Sequence, residues 1–225
     1  MEQQPAFFEY GSDATDYLCG KDKALAAAIE HIGPVKRVIT PDLFAALVNS
    51  ILSQQISTRA AETVWARLLE KCGSITPGGV LALTVEEIQS CGMSMRKAEY
   101  IYELAKKTAD GTFDIQALNS MTDVEVITTL VTLKGVGVWT AEMLLIFSMQ
   151  RPDVLSYDDL AIQRGLKMLY RHRDITRKLY EKYKRRYSPY ASIASLYLWE
   201  IASGNYDAYP LPQRASARKR AKHKP

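Results

Sequence analysis

Cysteine is scarce in this chain. Cys19, Cys72 and Cys91 are odd in number, widely spaced and too few for a four-thiolate cluster, which argues against disulfides, structural zinc and an iron–sulfur centre. They are expected as small core residues. Long apolar runs are missing too: the longest, Val136 to Met149, is interrupted by Glu142 and falls short of the roughly 18 uncharged residues a membrane helix requires. The opening Met-Glu-Gln-Gln-Pro lacks the basic and apolar regions of a signal peptide, so an intracellular protein without membrane association is expected. No Gly/Ser/Pro stretch is long enough to separate independent domains, and little reads as strand beyond short β-branched runs such as Val124 to Thr132.

Charge is plentiful but unevenly placed. Of 225 residues, 29 are Lys or Arg and 25 are Asp or Glu, a net charge of +4. Without the six basic residues after Leu211 (Arg214, Arg218, Lys219, Arg220, Lys222 and Lys224) the balance is 23 against 25, a body of net charge −2. The basic excess is a tail, 211–225, with no apolar face, expected to be solvated and disordered. With 47% hydrophobic and 24% charged residues, the remainder is an ordinary globular composition with enough apolar material for one generous core or two small ones.

Helix signals dominate. Thr40-Pro41 reads as an N-cap followed by proline at the first helical position, ahead of Leu43, Phe44, Leu47, Val48, Ile51 and Leu52 at helical spacing. Thr84 with Glu87 and Thr122 with Glu125 fit capping boxes. The pattern predicts about ten helices, near 22–32, 41–53, 58–72, 84–90, 94–109, 122–130, 138–148, 159–170, 176–187 and 190–204. An all-α protein of two packed helical lobes is expected, with residues 1–17 as an N-terminal extension and 18–210 as the helical domain.

The most informative stretch is Leu133-Lys134-Gly135-Val136-Gly137-Val138-Trp139-Thr140-Ala141, between one short helix and the next. Two glycines one residue apart permit a tight hairpin with positive φ, and the free N–H groups of the following helix suit a phosphate. Gly-x-Gly by itself often serves only turn geometry. The full string, followed about 20 residues later by Asp159 in Ser156-Tyr157-Asp158-Asp159-Leu160-Ala161-Ile162, resembles the helix-hairpin-helix (HhH-GPD) DNA glycosylase superfamily. Ser50 to Ser57, Gly92 to Leu104 with its Gly-x-x-x-x-Lys-Ala pattern, and Tyr190 to Trp199 extend the resemblance over roughly Cys19 to Gly204. Within that superfamily the chain is most similar to the alkylpurine branch, the 3-methyladenine DNA glycosylases of type II.

The resemblance implies a two-lobed fold with the active-site cleft between the lobes, and it assigns roles residue by residue. Asp159 is the catalytic carboxylate, held against the positive charge that builds on the sugar as the N-glycosidic bond breaks. Asp158 is expected to cap the helix while Asp159 faces the cleft. Gln55 is the wedge that fills the hole left by the extruded nucleotide, with Gln54 and Ser57 beside it. Gly135, Gly137 and Val138 offer backbone N–H groups to phosphate, assisted by Thr140, while Lys134 at the hairpin tip and Lys97 contact the DNA backbone. The carbonyls of Leu133 and Val136 can hold a monovalent cation, Na+ or K+, though nothing in the sequence requires a cofactor. Trp139, Trp199 and Met143 line the base pocket, where an electron-rich wall suits a cationic alkylated purine.

Trp139 also stands where lyase-competent relatives carry a lysine nucleophile, so a monofunctional hydrolase without AP lyase activity is implied. The expected partner is double-stranded DNA containing damaged bases, engaged by a monomer. The expected location is the cytoplasm or nucleoid of a prokaryote or the nucleus of a eukaryote. Two alternatives stay open: a glycosylase for hypoxanthine, ethenoadenine, uracil or 8-oxoguanine, and a non-catalytic binder of damaged DNA. Arg171 to Tyr187, with eight basic residues against two acidic, fits either a DNA-facing or a solubilising surface.

Overall fold

The computed structural model describes residues 5–206. The 211–225 tail lies outside them. Among the described residues there are twelve α-helices: α1 (Ser12–Lys21), α2 (Lys23–Ile32), α3 (Leu43–Ser53), α4 (Thr58–Cys72), α5 (Pro77–Leu81), α6 (Val85–Gln89), α7 (Met95–Ala109), α8 (Asp123–Leu130), α9 (Val138–Phe147), α10 (Leu160–Tyr170), α11 (Arg177–Tyr187) and α12 (Ala191–Ser203). A 3-10 turn spans Gln116–Ser120, and an isolated antiparallel bridge joins Phe7 to Val38. The all-α expectation holds.

The chain forms two compact units. One takes the described residues up to Gly11 together with Lys36–Ser156; the other takes Ser12–Val35 and the described residues from Tyr157 onward. In the first, α3 packs on α4, α7 and α9, α5 and α6 pack on α7, and α8 packs on α9. Leu47, Leu52, Leu68, Ile88, Ile101, Leu118 and Leu130 are completely buried there. Both anticipated capping boxes are present: Thr84 accepts the Glu87 N–H and Thr122 the Glu125 N–H, each glutamate returning to its threonine's N–H. Such reciprocal caps start α6 and α8 in spite of the β-branched content of the latter.

The second unit is built around α12, whose residues from Ala191 to Leu198 are all buried, the mark of an interior helix with no solvent stripe. It packs against α10, α2, α1 and α11. The approach to α10 is close: a Cβ on Gly165 would lie 2.3 Å from the Leu198 carbonyl oxygen.

Three expectations need correction. The α3 cap is Asp42, whose side chain accepts the Ala45 N–H, while the Thr40 N–H donates to the Phe147 carbonyl. Helix α1 begins inside the segment expected to be an N-terminal extension; only Ala14 and Leu18 are buried along it, too few for a visible period. Helix α5 is masked in the sequence by Gly78-Gly79, but Thr76 caps it and Pro77 sits in its first turn.

Candidate active site

In the first unit, α8 leads into a turn that ends at Gly137, the N-cap residue of α9. Leu133 accepts the Val136 N–H at 3.2 Å, closing the turn. The two glycines differ in kind. Gly135 has φ of +81°, and a Cβ there would stand 2.6 Å from the Tyr100 ring, so both backbone and packing demand glycine. Gly137 is extended at φ −100°, has open space where a Cβ would be, and makes no side-chain cap, so positive φ is needed once and not twice. What Gly137 supplies is bare access to the first N–H groups of α9.

Lys134 pairs with Glu103 at 2.9 Å. The ammonium of Lys134 holds the Glu103 carboxyl below its ordinary range, and Glu103 raises Lys134 in return. Thr140 is buried, so its side chain is withdrawn from the surface. Val138 and Trp139 are 46% and 44% exposed, so Trp139 is not a core tryptophan. Met143, one turn further along α9, is half-buried.

Gln54 and Gln55 form the turn after α3. The Gln54 side chain donates from Nε2 to the Gly135 carbonyl at 2.7 Å, joining this turn to the hairpin. Gln55 is exposed and has φ of +58°, a left-handed backbone that costs a non-glycine residue about 1–2 kcal/mol. Ser57 accepts the Ala60 N–H and is the N-cap of α4. Lys97 is not a solvated cation on a helix face: its Nζ donates to the carbonyls of Leu52 and Gln54, and burial pushes the ammonium below the ordinary lysine value. Two of its three donors are therefore used inside the protein, one remaining for a contact of the kind anticipated.

In the second unit, Asp159 is the N-cap of α10 and is 7% exposed. Oδ1 accepts three N–H groups, from Ala161 at 2.9 Å, Ile162 at 2.8 Å and the Trp199 indole at 3.2 Å. Asp158 is exposed, so the division of labour expected for the pair is wrong: Asp159 itself caps the helix. Capping orients the carboxyl rigidly. The structure thus brings Asp159 and Trp199 together, and separately gathers Gln54, Gly135 and Lys97, while Trp139 and Met143 belong with the hairpin.

Several supporting residues carry no sequence signal. Gln163 donates from Nε2 to the Tyr157 carbonyl at 2.6 Å, and the Arg177 guanidinium lies 4.7 Å from the Tyr157 ring centroid and 5.0 Å from that of Tyr180. These contacts fix the approach to Asp159. Buried Ser156, just upstream, donates to Glu142 of α9 at 2.5 Å. Glu142 is visible in the sequence only as a charge interrupting an apolar run. Part of the basic 171–187 segment is likewise internal structure: Arg186 pairs with buried Asp22, whereas the Arg177–Glu181 pair at 3.1 Å lies on the helix surface.

The cysteines are free; Cys91 is buried, Cys19 and Cys72 are half-buried, and burial raises all three thiols. Among the described residues, no helix is long and apolar enough to cross a membrane.

Residues 48–189 match the model of the HhH-GPD superfamily of base excision DNA repair proteins, and the chain belongs to this family. It is 35% identical over 204 residues to the DNA-3-methyladenine glycosylase of Saccharomyces cerevisiae, covering 74% of this chain and 69% of the yeast protein. Among solved structures it is similar to a DNA-3-methyladenine glycosidase from Bacillus halodurans, with 34% identity, a TM-score of 0.81, and coverage of 91% of this chain and 95% of the other. A second is the 3-methyladenine DNA glycosylase of Schizosaccharomyces pombe, solved in complex with abasic DNA, with 28% identity, a TM-score of 0.74, and coverage of 86% and 98%.

Proposed function

We propose that this protein is a monofunctional DNA glycosylase that extrudes alkylated purines of the 3-methyladenine and 7-methylguanine type from duplex DNA and hydrolyses their N-glycosidic bond. The observation that carries this reading is Asp159: a buried carboxyl group held by three N–H donors on one oxygen. Likeness to named 3-methyladenine glycosylases, one of them bound to abasic DNA, supports the substrate class.

In the proposed reaction the hairpin amides of Gly135, Gly137 and Val138 take a phosphate, Gln55 enters the stack, and the freed base meets Trp139. A purine alkylated at N3 or N7 is cationic, so it is attracted to the face of an aromatic ring. The same charge lets it leave with the bonding electron pair as a neutral base, without a general acid. Asp159 stabilises the electron-poor sugar and orients the water that adds at C1′, whose proton passes to the carboxylate or to solvent. The products are a free base and an abasic site. The Leu133 carbonyl keeps a second lone-pair direction beside its turn hydrogen bond, so with Val136 it would hold a monovalent cation that adds positive charge near the phosphate.

Methylated duplex DNA incubated with the protein is expected to release free 3-methyladenine or 7-methylguanine without strand cleavage. Preference for uncharged lesions in a panel of single-lesion duplexes would overturn the substrate assignment, and strand cleavage through a trapped Schiff base would overturn the monofunctional one.

A further inference from the structure

The turn between α3 and α4 is held from two directions. Helix α3 ends at Ser53, and the last carbonyls of a helix have no partner within it. Lys97, in the first turn of α7, supplies one: its ammonium donates to the Leu52 carbonyl at 3.0 Å and to the Gln54 carbonyl. The second contact matters most, because the Gln54 carbonyl belongs to the peptide unit that joins Gln54 to Gln55. Fixing that plane fixes the rotation leading into Gln55. The φ −55° and ψ 132° at Gln54 and φ +58° at Gln55 match the first three angles of a type II turn, whose second central position ordinarily takes glycine or asparagine. A glutamine persists in that conformation only where its surroundings over-determine it. The other restraint is the Gln54 side chain, bonded at 2.7 Å to the carbonyl of Gly135, which is itself held at positive φ against Tyr100.

We propose that Lys97 and Gln54 are positioning residues that lock Gln55 in its left-handed conformation and tie it to the hairpin, so that phosphate capture and intrusion into the base stack are one rigid action. This rests on the glycosylase reading above, and it gives the lysine of the Gly-x-x-x-x-Lys-Ala helix a role in holding the wedge. The unusual backbone at Gln55 is then part of the mechanism, since a turn free to relax would fold the side chain away from the duplex.

The test uses the full chain and a duplex that carries a stable abasic analogue opposite 2-aminopurine, whose fluorescence rises when its stacking is broken. At saturating protein the amplitude reports intrusion whatever the affinity. Gln55→Ala sets the amplitude without a wedge. Lys97→Met keeps the aliphatic stem without donors, and Gln54→Leu removes the tie to Gly135; both are expected to bind the duplex yet approach the Gln55→Ala amplitude, with duplex excision falling on the order of 10²-fold. A merely structural role would lower the melting temperature and leave the saturated amplitude intact. Wild-type amplitude in both variants overturns the proposal, as does a Gln55→Ala amplitude equal to that of the wild type. Should Lys97→Met lose its helical circular dichroism, Gln54→Leu decides. Failure of the wild-type protein to release base from methylated DNA would instead overturn the glycosylase reading, a result the fluorescence amplitude does not depend on.

Discussion

Trp199 donates its indole N–H to the same Asp159 oxygen that caps α10. A tryptophan assigned to the base pocket therefore also orients the carboxyl group. Trp199→Phe keeps an aromatic ring and removes the donor; a hydrogen bond to a charged group is worth about 1.5–3 kcal/mol, so the single-turnover excision rate should fall roughly 10-fold or more. An unchanged rate would show that the two backbone N–H groups suffice. At this scale the sequence is an uneven guide. Asp159 is legible because the motif places it just before an apolar residue, but which member of the Asp158-Asp159 pair caps the helix depends on backbone direction, and composition does not encode that. Lys97 looks like any exposed basic residue on a helix, because its acceptors lie 45 and 43 positions away.

Helix α10 carries Asp159 at its start and Gly165 on its second turn, where it meets the backbone of α12. A methyl group at position 165 has no room beside the Leu198 carbonyl, and the obstacle is main chain, not a side chain that can rotate away. Gly165→Ala should destabilise the protein by about 1–3 kcal/mol, read from its denaturant midpoint, and lower excision by displacing Asp159 relative to Trp199. Wild-type stability and activity would show that the two helices can separate without consequence. Most elements are legible from caps: Thr84 with Glu87 and Thr122 with Glu125 mark their helices without any tertiary knowledge. Helix α1, with two buried residues, and α5, containing two glycines, are not, because the packing that stabilises them leaves no periodic trace. Interior α12 shows itself by its continuous apolar content, though a helix buried all round offers no moment to read.

Across the molecule, segments distant in sequence are joined by a buried carboxyl group. Asp22 caps α2 through Oδ1, while Oδ2 accepts the Tyr170 hydroxyl at 2.8 Å and pairs with Arg186; Tyr170 in turn meets the Tyr187 hydroxyl at 2.7 Å. Burial pushes Asp22 up, but the Leu25 N–H, Arg186 and Tyr170 outweigh it and hold the carboxyl below the ordinary aspartate range. A group depressed in the folded state contributes in full above its unfolded value, near pH 4, and its contribution is lost as pH falls through the folded value. Asp22→Asn should therefore be less stable than wild type at neutral pH and lose melting temperature less steeply between about pH 5 and about pH 2. Parallel acid profiles would contradict this.

The proposed reaction is excision of cationic purines with Asp159 as the catalytic carboxylate. The most direct measurement is single-turnover release of free 3-methyladenine from methylated duplex DNA by wild type and Asp159→Asn. Asparagine is as good an N-cap as aspartate, so the fold should survive the exchange. Base release without strand cleavage by the wild type and loss of that release by a folded Asp159→Asn protein are expected; normal release by the variant would overturn the assignment of Asp159.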